Sequence, residues 1–104
     1  MMILEVLKRD KNIITYRPEL NAITGSVTAT ILLQQILFRL GDCEEFYKFK
    51  EPCGHRLYKE GDSWCEELGF TRKEFDGAIE RLRQNNFVET RITMDRLTFY
   101  SKLS

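Results

Sequence analysis

The stretch from Asp62 to Asn86 allows few folds. It holds one helix start at Asp62 or Ser63, the apolar pair Trp64 and Leu68, a break at Gly69-Phe70 and a second helix start at Thr71. Thr71 can cap the free amides of the following turn while Glu74 reaches back to the Thr71 amide, the reciprocal arrangement of a capping box. Beyond it Phe75, Ala78, Ile79 and Leu82 recur at helical spacing and so share one face. Glycine at the break suits a tight turn, because a left-handed backbone carries little penalty without a Cβ. A short helix, a tight turn and a longer capped helix form the helix-turn-helix plan, whose second helix can enter a DNA major groove. The same spacing also serves helical hairpins that only pack.

Composition narrows the setting. A chain of 104 residues, 42% hydrophobic, supports one domain with a single modest core. No apolar run is long enough to span a bilayer, and charges interrupt Met1 to Asp10 where a signal peptide needs an apolar centre, so a cytoplasmic location without membrane contact is expected. Cys43, Cys53 and Cys65 are odd in number and lack CxxC spacing, which fits reduced thiols. With 16 basic and 16 acidic residues the net charge is zero, which argues against non-specific nucleic-acid binding. The charge is unevenly placed, however. Residues 1–39 carry five basic and three acidic groups, 40–70 four and eight, and 71–104 seven and five.

Along the chain, Met2 to Leu7 suits a strand or a helical turn, Ile13 to Tyr16 is β-branched and aromatic and suits a strand, and Arg17-Pro18 ends regular pairing. Ser26 or Thr24 is positioned to cap a helix over Val27 to Leu40. On that helix Ala29, Leu32, Leu33, Ile36, Leu37 and Leu40 form a broad apolar face, and Val27, Ile31 and Phe38 a narrower one nearly opposite. Thr30 and Gln34 fall in one polar lane between them, with Gln35, Thr28 and Arg39 in the other. The broad face should meet the helix-turn-helix unit. The narrow one needs the N-terminal segment or a second subunit, and a homodimer is one expectation. Phe46 to Lys50 reads as extended, Glu51 to Gly54 as a turn, and His55 to Tyr58 as a returning strand with His55 at the surface.

After Asn86, Phe87 to Ile92 and Leu97 to Leu103 alternate as a hairpin closed by Thr93-Met94-Asp95-Arg96. A hairpin directly behind a recognition helix is the wing of a winged helix. The expected fold is therefore α+β: a winged helix-turn-helix with about three main helices, a C-terminal hairpin wing and short extra strands. Its parts would be an N-terminal extension over 1–22, a central helix over 23–41, the helix-turn-helix over 62–86 and the wing over 87–103.

With Phe75, Ala78, Ile79 and Leu82 turned inward, Lys73, Asp76, Gly77, Glu80 and Gln84 face outward and Arg72, Arg81 and Arg83 lie at the borders. Thr71, Arg72 and Lys73 combine free amides, a hydroxyl and two cations, an arrangement suited to phosphate. Gln84 offers a bidentate partner for adenine, and Asp76 or Glu80 an acceptor for cytosine. The two carboxylates are equally suited to surface pairs, Glu80 with Gln84 and Asp76 with Arg83 or Lys73. Gly77 costs a mid-helix position about 1 kcal/mol relative to alanine, which points to close approach of something outside. Arg91 and Arg96 flank the wing tip and complete the expected DNA-binding set of Thr71, Arg72, Lys73, Gly77, Gln84, Arg91 and Arg96. No catalytic motif is legible and no cofactor is expected. Cys43, Cys53, His55 and Cys65 match no common zinc spacing.

Taken together, Tyr16 to Leu20, Ile23 to Arg39, Phe46 to Cys53 (FYKFKEPC) and Tyr58 to Leu82, above all the run GDSWCEELGFTRKEFD, resemble the small helix-turn-helix proteins of bacterial prophages and plasmids. Those are similar to the N-terminal winged-helix domain of phage replisome organisers and plasmid replication initiators. The resemblance implies a winged helix with a task on double-stranded DNA, either transcriptional control or replication initiation. It supplies no set of contacting residues. The neutral charge keeps a rival open, a winged helix that binds a replication or host-defence protein through its mixed-charge face.

Overall fold

A computed structural model of the chain describes residues 16–102. The leading segment expected at Met2 to Leu7, residues 13–15 of the one expected at Ile13 to Tyr16, and Leu103 at the end of the expected hairpin lie outside the described residues. Pro18–Leu20 forms one 3-10 turn and Asn21–Thr24 a short helix α1, and the chain then bends by 100° into α2, Val27–Leu40. Strand β1 (Glu45–Tyr47), helix α3 (Trp64–Leu68), helix α4 (Arg72–Gln84), and strands β2 (Val88–Ile92) and β3 (Thr98–Lys102) follow. The result is an α+β fold with one antiparallel sheet ordered β1-β3-β2.

Local chemistry accounts for the helix limits. The Ser26 hydroxyl accepts the Ala29 amide at 3.0 Å and starts α2. The Ser63 hydroxyl accepts the Glu66 amide to start α3, and Gly69 ends it in the left-handed conformation with φ 71°. The capping box of α4 is complete, with Glu74 N–H donating to Thr71 Oγ1 at 3.1 Å and Thr71 N–H donating to Glu74 Oε1 at 2.9 Å. Gly25 is also left-handed, φ 89°, which favours glycine at the bend, and the Arg81 guanidinium of α4 lies against it.

The α2 helix buries Ala29, Leu32, Leu33 and Ile36 against α4, which contributes Phe75, Ala78 and Leu82. Each leucine, isoleucine or phenylalanine among them, fully buried, contributes roughly 1.5–3 kcal/mol. Two positions depart from the helical pattern. Thr30, placed in a polar lane by its spacing, is fully buried because its hydroxyl pairs with that of Thr24 at 2.7 Å. The single Thr24 proton goes to the Ser26 carbonyl at 3.0 Å, so Thr30 is the donor in that pair. Leu37, assigned to the broad apolar face, is instead 41% exposed. On the narrow face Val27 and Phe38 are exposed and Ile31 is half-buried. Among the described residues no single helix is long and apolar enough to cross a membrane.

Trp64 is the hub of the core, fully buried with its ring 6.1 Å from Phe46, 6.4 Å from Phe75 and 5.7 Å from Tyr100. The Lys48 ammonium sits 5.0 Å above it, nearly inaccessible, held by the carboxylates of Asp62 and Glu67. The extended segment read at Phe46 to Lys50 is realised by β1 and by a bridge from Phe49 to Ser63, with Trp64 and Cys65 amides donating to the Phe49 and Lys50 carbonyls at 2.9 Å. His55 to Tyr58 does not return as a strand. It makes a turn, because the His55 ring binds locally, accepting from Leu57 N–H through Nδ1 at 3.0 Å, while its Nε2 reaches the Asp95 carbonyl at 2.6 Å. His55 is thus a brace rather than a free surface side chain.

Candidate nucleic-acid interface

The outer side of α4 is open. Lys73, Gly77, Glu80 and Gln84, spaced four, three and four residues apart, are all exposed and form one stripe. A Cβ built on Gly77 would meet nothing within 4 Å, so no neighbour in the fold demands glycine there. At the helix start, the capping box occupies the Thr71 amide and one lone pair of its hydroxyl, leaving that hydroxyl's proton and the Arg72 and Lys73 amides as donors. Arg72 lies 3.6 Å from Glu51 as a loose pair with its own side chain 70% exposed, a contact worth little in water. Lys73 has no ion-pair partner among the described residues.

Pairing along the rest of the helix differs in part from the spacing. Gln84 donates to Glu80 at 3.1 Å, as expected, and Arg83 approaches Glu80 at 3.8 Å. Asp76 pairs with neither Arg83 nor Lys73 but with Lys50, at 3.1 Å. Lys50 is 26 residues away in sequence, and no local signal marks it.

The hairpin separates the two wing arginines. Thr90, Tyr100 and Phe46 are in register on the face turned toward α4, so Arg91, one residue on, points to the far face beside Phe99 and Tyr47. There its guanidinium lies 4.6 Å over the Phe99 ring and donates to Glu45 at 2.8 Å. Arg91 therefore does not share a face with Thr71, Arg72 and Lys73. Arg96 sits at the tip in the left-handed conformation, φ 62°, where the sequence supplies no glycine. Asp95 beside it is tied to the loop by Arg56 at 2.7 Å and by His55, which fixes the tip in place.

Between α4 and the hairpin runs a cleft of about 400 Å³, lined among others by Lys50, Asp76, Ile79, Arg83, Thr90 and Arg96. No group of three or more histidine, cysteine or acidic side chains is placed to hold a metal among the described residues. Cys43 and Cys53 are exposed, and burial pushes the Cys65 thiol above its ordinary range. No protein-family model matches the chain, and no curated protein or solved structure matches it.

Proposed function

We propose that this chain is a winged-helix DNA-binding protein of a mobile element, acting in the cytoplasm in transcriptional control or replication initiation. The observation that carries the reading is the uncovered stripe of α4, with a glycine at its centre that nothing in the fold requires. The succession α2, β1, α3, α4, β2, β3 and the strand order β1-β3-β2 support the winged-helix description, with α4 as recognition helix and the β2–β3 hairpin as wing. In this reading Lys73, Arg72 and Thr71 anchor phosphates at the helix start, Gly77 lets the backbone approach the groove floor, and Gln84 reads a base edge. The exposed Val27 and Phe38 support a homodimer, which would set the spacing of two half-sites. Sedimentation as a monomer at high micromolar concentration would remove that part.

The test is duplex binding by the intact chain across a range of salt. Changing Arg72 and Lys73 together to alanine should weaken binding uniformly across sequences and lower the slope of log affinity against log salt by about 2. Equal retention of the double variant on DNA at low salt overturns the reading. One observation favours a rival. Glu51, Asp76 and Glu80 each stand against a cation of this surface, so its field is largely internally neutralised. A wild-type chain with no measurable duplex binding at low salt would favour a protein partner for the same face.

A further inference from the structure

We propose that the cleft between α4 and the hairpin seats a backbone phosphate of DNA, gripped from the helix wall by Arg83 and from the hairpin tip by Arg96. This rests on the DNA reading above and adds a contact that the helix stripe does not supply. The charges of the cleft sort themselves. Asp76 is matched by Lys50 and Glu51 by Arg72, while the buried Lys48 is matched by Asp62 and Glu67. Among the described residues Arg83 pairs only with Glu80, at 3.8 Å with both side chains more than half exposed, a contact as loose as that of Arg72 with Glu51 and as readily given up, and Arg96 has no acidic partner. Two arginines lining one cleft, with Thr90 and Thr98 also in its lining, suit a tetrahedral oxyanion better than a neutral guest.

The backbone of Arg96 adds an independent reason. A left-handed non-glycine residue is unfavourable, and glycine is the usual occupant of such a position at a hairpin tip. Arginine stands there against local preference, and the neighbouring Asp95 is held by the His55 and Arg56 contacts, so the guanidinium is carried on a braced turn.

The experiment uses the full chain, a fluorescent duplex and thermal melts, with Arg96→Gly, Arg83→Gln and the double variant. Arg96→Gly relieves the backbone, so its melting temperature should equal or exceed that of the wild type. Its affinity for duplex should nonetheless fall roughly tenfold at low salt, with the salt slope lowered by about 1. Arg83→Gln should do the same, and the double variant should lose less than the product of the single losses, because one phosphate is shared. Fully multiplicative losses would mean two separate phosphates and would overturn the shared grip. Unchanged affinity in both single variants, alongside weakened binding by the Arg72 and Lys73 double variant, overturns the clamp and leaves the DNA reading standing. A wild-type chain that binds no duplex overturns both. Should Arg96→Gly melt low, Arg96→Gln keeps the backbone type and carries the same binding test.

Discussion

Gly77→Ala separates folding from binding at one atom. The site lies inside α4 with ordinary helical dihedrals, and the new methyl would meet nothing within 4 Å. The change therefore acts only through helix propensity and the entropy of the unfolded chain, which together favour alanine by about 1 kcal/mol. For a domain of this size that corresponds to a rise in melting temperature of about 4–8 °C. The same methyl would project from the stripe between Lys73 and Gln84, into whatever approaches the helix. Circular dichroism melts and fluorescence anisotropy on one duplex read the two effects side by side. The expected result is a more stable protein that binds less tightly. A lower melting temperature would refute the open environment of Gly77, and a stabilised variant with undiminished affinity would refute the argument that glycine is there for close approach.

Two further outcomes follow from the interior. Lys48→Met should be close to neutral in urea denaturation, since it removes an ammonium that is nearly inaccessible and leaves Asp62 and Glu67 partly in water. Asp62→Asn combined with Glu67→Gln strands that ammonium and should lose about 3–5 kcal/mol. The Tyr58 hydroxyl and Ser63 donate to the Glu66 carboxylate at 2.5 and 2.6 Å, holding Glu66 below its usual 4.5 and pushing Tyr58 up to about 12. A lowered carboxyl stabilises the fold above its unfolded pKa and loses that contribution as pH falls through the folded value; a raised phenol stabilises it below about 10 and loses that as pH climbs toward 12. Glu66→Gln should accordingly flatten both the acid and the alkaline limb of a melting-temperature profile, and a profile identical to wild type would refute the linkage.

What was legible in the sequence is what forms within one or two helical turns. Ser26, Ser63, Thr71 with Glu74, and Gly69 find their partners within a few residues, so spacing alone locates α2, α3 and α4. What was not legible depends on distant partners. Lys48 looks like a solvated strand residue until Glu67 and Trp64 are brought to it, Asp76 finds Lys50 rather than a neighbour on its own helix, and His55 turns toward a hairpin tip 40 residues on. The candidate site divides the same way. The stripe Lys73, Gly77, Gln84 follows from helical period, whereas the cleft that joins Arg83 to Arg96 exists only once strand register has sent Arg91 to the other side.

The chain has one tryptophan, and it stands where α3, α4, β3 and the segment after β1 converge. Its emission is consequently an internal gauge of the whole interior. Denaturation should shift the spectrum to longer wavelength in a single step, while a ligand seated on the outside of α4 should leave it unmoved, so integrity can be followed without a label while that ligand is titrated.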